Sequence, residues 1–110
     1  MQTAQPVLLA SHFAQLHQSL LELLRSLSPA QWEYPTPCAG WTVADIARHL
    51  LADDTGILSR RDHYRASNAS SAKLETWDDL VQLIDQQNEA WVAVTRRISP
   101  PVLCDLLYVS

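Results

Sequence analysis

The sequence predicts an all-α protein, an up-and-down helical bundle forming a single domain over residues 1–110, and three observations carry the prediction. Apolar residues recur at three- and four-residue steps in three separate stretches, the spacing that lines one face of a helix. Two Thr-x-x-Asp strings, from Thr42 to Asp45 and from Thr76 to Asp79, stand where two of those stretches begin and read as helix-start signals. There are only 2 glycines, and no run alternates apolar and polar residues as a half-buried strand would. The apolar share, 47%, is enough for one core but not for two.

The first helix is predicted over residues 7–27, where Leu9, Phe13, Leu16, Leu20, Leu23, Leu24 and Leu27 share a face. His12 and His17 flank that stripe and read as imidazoles at its edge, with nothing spaced to pair with them. Ser28-Pro29 has the form of a cap followed by a proline at the first helical position, so residues 29–33 make one short helical turn at a corner. Pro35 and Pro37 each fix φ and bias the residue before them toward extended backbone, which keeps residues 34–38 out of a helix. Gly40 permits a turn that a side chain would resist, Trp41 anchors the loop, and Thr42 caps a second helix over residues 43–64.

On that helix Val43, Ile46, Ala47, Leu50, Ile57 and Leu58 form the apolar side, and Asp45 complements the positive end of the dipole. Asp54 falls among the apolar positions, either as a buried acid with a polar partner such as Asn88 or at a bend that exposes it. Arg60, Arg61, His63 and Arg65 complement the negative end of the dipole, and residues 68–73 form a polar loop. The third helix is predicted over residues 77–98 from Trp77, Leu80, Val81, Ile84, Trp91, Val92 and Ile98. Pro100 and Pro101 stop it, and the apolar residues 102–110 are too few for another full-length helix.

Charge and composition exclude several function classes. A net charge of -4 argues against nucleic acid, since backbone binding relies on a positive surface to displace counterions. No apolar run approaches the roughly 18 residues of a membrane span, and no basic segment precedes an apolar run at the N-terminus, so the expected location is the cytoplasm with no membrane partner. Cys38 and Cys104 lack the spacing of a zinc knuckle or a disulfide scaffold. No base is spaced to activate Cys38, which reads as a small packing residue of the loop.

The most informative stretch is Pro35 to Leu51, a proline-rich loop feeding a capped helix that delivers His49. His49 lies at the margin of the apolar face, with Asp45 and Asp53 one turn to either side. A histidine and a carboxylate four apart can share a metal, or the carboxylate can orient the ring; the same spacing also suits a partly buried histidine with solvated neighbours.

The string P-T-P-C-A-G-W-T-V-A-D-I-A-R-H-L, preceded by a long helix and S-P-A-Q-W, resembles the N-terminal domain of the mycothiol-dependent maleylpyruvate isomerases, part of the DinB-like group of metal-binding helical bundles. The resemblance implies a four-helix bundle holding a divalent metal, zinc or nickel, on three side chains, with His49 matching the ligand from the second helix; Asp53, one turn further on, is an accessory candidate from spacing and not from the family pattern. It implies that the metal activates a low-molecular-weight thiol, such as mycothiol, for transfer or isomerisation. The two remaining ligands would stand on a fourth helix, which this sequence lacks, so the domain reads as truncated at its C-terminus and no catalytic residue is assigned. Two roles are open: a metal-dependent thiol transferase or isomerase domain completed by another chain, or a non-catalytic interaction module that dimerises through the groove left by the absent helix.

Overall fold

The capping chemistry sets where the helices begin. The computed structural model describes residues 10–59, 61 and 74–110, and all its named elements there are helical: α1 (Ala10–Ser26), α2 (Pro29–Trp32), α3 (Val43–Ser59), α4 (Trp77–Thr95) and α5 (Pro100–Val109). The Gln31 amide donates to the Ser28 hydroxyl while the Ser28 amide donates to Gln31 Oε1 at 2.8 Å, a capping box with Pro29 at the first helical position. Thr76 and Asp79 exchange the same pair of bonds at the start of α4. The Glu75 and Thr76 amides that donate to Asp79 hold its carboxyl below the usual range.

Between α2 and α3 the chain makes a tight extended loop, as the prolines require. Pro35 bridges Thr42, the Thr36 amide donates to the Trp41 carbonyl at 3.1 Å, and Trp41 returns a bond to the Cys38 carbonyl at 3.0 Å. The loop reverses at Gly40, whose φ of 78° is the left-handed conformation that costs a side-chain-bearing residue about 1–2 kcal/mol.

Burial is concentrated at one end of the bundle. Leu21 and Leu24 from the second half of α1, Trp32 from α2, Ala44, Ala47 and Leu51 from the first half of α3, and Leu103, Cys104 and Leu107 from α5 form one cluster. The last turns of α4 bury Val92 and Thr95, and Trp91 packs against the cluster. Away from that end the stripes expected to be buried are open to solvent, Phe13 and Leu16 on α1, Ile57 and Leu58 on α3, Trp77, Val81 and Ile84 on α4, and Leu23 turns outward even beside the buried Leu21 and Leu24. Periodicity found these faces but does not say how far along its length each face is covered.

Two boundaries need correcting. The third long helix ends at Thr95 rather than residue 98, because an arginine of α3 takes up the carbonyls at that end. A helix stands where none was expected, over Pro100–Val109. Pro100 and Pro101 do not merely stop a helix; they occupy the opening positions of the ten-residue α5, where a missing amide donor costs nothing, and Ser99 stands at its N-cap. The start of the first helix at residues 7–9 and the end of the second at residues 60–64, with Arg60, His63 and Arg65 and the loop at residues 68–73, lie outside the described residues.

Candidate functional site

The first two turns of α3 carry the polar centre of the molecule. Thr42 and Asp45 close the predicted cap: the Asp45 amide donates to Thr42 Oγ1 at 3.3 Å and the Thr42 amide donates to Asp45 Oδ2 at 3.1 Å. Asp45 is only 2% exposed, and it is more than a cap. Arg48 Nη1 donates to its Oδ1 at 2.8 Å, and Arg96 approaches both of its oxygens at 3.4 Å. Arg48 is itself buried and fans its remaining donors onto the end of α4, Nε to the Thr95 carbonyl and Nη2 to those of Arg96 and Ile98. A guanidinium fork suits this task, since it neutralises the dipole and satisfies several orphaned carbonyls at once. The Arg48 carbonyl in turn accepts Trp91 Nε1 at 2.8 Å. These donors and acceptors are consumed in joining α3 to α4 and leave nothing free for chemistry.

Burial alone would raise the Asp45 carboxyl, but the Thr42 amide and the Arg96 and Arg48 guanidiniums more than offset it and hold it below the ordinary 3.8. A folded pKa below the unfolded one means that the stabilisation is complete above the unfolded value and is lost as pH falls through the folded value. Urea midpoints measured between about pH 6 and pH 2 should therefore drop on the acid side, and Asp45→Asn should flatten that drop.

Next along the helix, His49 is half-buried. Its Nε2 lies 3.6 Å from Asp53 Oδ2, and its ring centroid is 5.5 Å from that of Trp41 at a tilt of 43°. His49 Nδ1 and Trp41 Nε1 are both buried without a hydrogen-bond partner. Such atoms cost about 1–3 kcal/mol each unless something meets them. Trp41 and Asp53, the two neighbours of His49, line separate clefts between α3, α4 and the loop, of about 350 and 540 Å³, and Asn88 borders both.

The other residues singled out by the sequence are dispersed. His12 is exposed on α1, whereas His17 is half-buried in a third and larger cleft, about 740 Å³, between α1, α3 and α5. Asp54 lines that cleft and accepts the Ser110 hydroxyl at 2.7 Å; the expected pairing with Asn88 is not made, because Asn88 sits on the α4 side. Cys38 is exposed and not a packing residue, since the loop is held by its backbone, and Cys104 is a buried free thiol whose pKa burial pushes up. Arg61 is exposed just beyond α3. Sequence reasoning missed Arg48 and Arg96, although an arginine three residues after a capping acid is a readable signal for the first of them.

The unpartnered Nδ1 of His49 is the right kind of donor for a divalent metal, and Asp53, beside Nε2, is placed to orient the ring and not to share an ion with Nδ1. Among the described residues no third histidine, cysteine, aspartate or glutamate joins the pair into a group able to hold a metal ion. A catalytic metal centre takes three protein ligands beside an open position, more than these residues supply. Among the described residues no helix is long and apolar enough to cross a membrane.

A family model described as the mycothiol maleylpyruvate isomerase N-terminal domain covers residues 13–109, which includes the loop, the capped helix and His49. No curated protein and no solved structure matches the chain. The helical bundle and the span of that match together place the sequence: the chain belongs to the mycothiol maleylpyruvate isomerase N-terminal domain family, a DinB-like family.

Proposed function

We propose that this domain serves thiol-dependent transfer or isomerisation, with His49 as the ligand it supplies to a divalent metal, zinc or nickel, and mycothiol or a similar low-molecular-weight thiol as the co-substrate. The observation that carries the reading is the buried, unpartnered Nδ1 of His49 on a helix whose start is fixed by a reciprocal cap. Asp53 is the accessory group. Its carboxylate beside Nε2 favours the tautomer that leaves the Nδ1 lone pair free and limits rotation of the ring, and Trp41 closes the opposite flank. A bound divalent cation would lower the pKa of a coordinated thiol, making it a thiolate at neutral pH. The remaining donors come from outside the described residues, from another part of the chain or from another molecule.

Elemental analysis and calorimetric titration with zinc and nickel test this proposal. The wild-type protein is expected to bind metal, His49→Ala to lose it, and Asp53→Asn to bind about 10- to 100-fold more weakly. Equal metal content in wild type and His49→Ala would remove the proposal.

A second reading, an interaction module that self-associates, is favoured by a different observation. The cleft between α1, α3 and α5 is open and mostly apolar, and contiguous exposed apolar surface of this kind ordinarily becomes an interface.

A further inference from the structure

We infer that Asn88 positions the thiol co-substrate beside His49, its carboxamide hydrogen-bonding an uncharged amide or hydroxyl group of that thiol in the seam between α3 and α4. The inference rests on the metal-dependent thiol reading and adds the residue that receives the co-substrate and the charge class it selects. Asn88 stands on the inward stripe of α4, one turn after Ile84 and one turn before the buried Val92, where an apolar side chain would continue the face. It is half-buried, and no hydrogen bond joins its carboxamide to another described residue. A polar group in such a place costs stability unless a partner meets it, and a position that breaks the local pattern with no structural return is where function is found.

The register of the two helices sets Asn88 level with the candidate site. Trp91 Nε1 donates to the Arg48 carbonyl at 2.8 Å, while Ile84 lines the same cleft as Gly56 and Ile57, so α3 and α4 run antiparallel. One turn back from Trp91 on α4 is therefore one turn on from Arg48 on α3, which brings Asn88 opposite the turn that carries His49 and Asp53. The cleft of about 540 Å³ holds Asp53, the neighbour of His49 on one flank, and that of about 350 Å³ holds Trp41, its neighbour on the other. Asn88 is the residue that the two linings share, so a molecule approaching His49 along either cleft passes its carboxamide. Asp53, Asp85 and Glu89 stand along these clefts, and no lysine or arginine among the described residues lines either. A thiol that carries a carboxylate is repelled there, whereas a carboxamide, which donates and accepts at once, pairs with a neutral amide or hydroxyl.

Titration of the zinc-loaded protein with two thiols tests the inference: N-acetylcysteinamide, which is neutral, and N-acetylcysteine, which has a carboxylate in place of the amide. The neutral thiol is expected to bind about 10-fold more tightly and to shift the side-chain amide signals of Asn88 in a proton–nitrogen correlation spectrum. Asn88→Leu is expected to weaken binding of the neutral thiol by about 5- to 10-fold, to leave the zinc content unchanged and to raise the urea midpoint, since a leucine continues the apolar stripe. Asn88→Asp keeps the shape and adds a charge; it is expected to weaken the same binding by about 10-fold, and it carries the test should the leucine variant aggregate. A fall in the urea midpoint of Asn88→Leu would make Asn88 a packing residue and overturn the inference. Equal affinity for the two thiols, or variants that bind the neutral thiol as the wild type does, also overturns it while the metal reading stands. A wild-type protein that binds no zinc overturns both.

Discussion

Arg48→Ala should lower the unfolding free energy by about 3–5 kcal/mol, read as a fall in the urea midpoint with little change in slope. The size follows from what the truncation leaves behind. Arg48 is 7% exposed, and its guanidinium ties four acceptors from α3, the end of α4 and the turn after it: Asp45 Oδ1 and the carbonyls of Thr95, Arg96 and Ile98. Its loss strands the end of α4 inside the protein and leaves the buried Asp45 carboxylate with the Thr42 amide and the long 3.4 Å contacts to Arg96. An unpaired charge that cannot reach water is among the costliest single defects. Arg48→Lys should recover part of the loss and no more, because an ammonium lacks the planar fork that reaches three carbonyls and a carboxylate together. A loss below about 1 kcal/mol for Arg48→Ala would mean that the pair behaves as a solvated surface bridge.

Leu103→Ala should cost about 2–5 kcal/mol by the same measurement. Leu103 is 0% exposed and sits on the α5 face that packs between α1 and α3. α5 is short, and it is held chiefly by Leu103, Cys104 and Leu107, so the cavity left by truncation is lined by few side chains able to close it. The control lies on the same helix: Val102 is 46% exposed, and Val102→Ala should change stability by less than about 0.5 kcal/mol. Equal losses at both positions would mean that α5 responds to helix propensity and not to burial.

Much of the fold was legible because it is written locally. The three caps at Ser28, Thr42 and Thr76 and the turn at Gly40 depend on residues within four positions of one another, and the proline loop closes within nine. The features that were not legible depend on distance in the chain. Arg48 meets Thr95 across 47 residues, and no local rule distinguishes it from a solvated arginine on a helix face. The prolines at Pro100 and Pro101 carry a double meaning, since the same pair ends one helix or opens the next, and the burial of Leu103 and Leu107 decides between them. At the candidate site, spacing alone gave His49 and Asp53 as neighbours, which they are at 3.6 Å. The tertiary packing alone supplied the Trp41 ring contact and the orphaned nitrogen.

The one-sided placement of the core makes the molecule an asymmetric scaffold. The first turns of α3, the buried face of α5 and the turn at residues 96–98 are held by the core cluster and by the Arg48 fork, so altering them puts the whole domain at risk. The opposite end, where Phe13, Ile57 and Trp77 face solvent, can be recoloured with new side chains at small cost to the rest. Evolution or an engineer can therefore rewrite what this domain recognises at one pole while the other keeps its architecture.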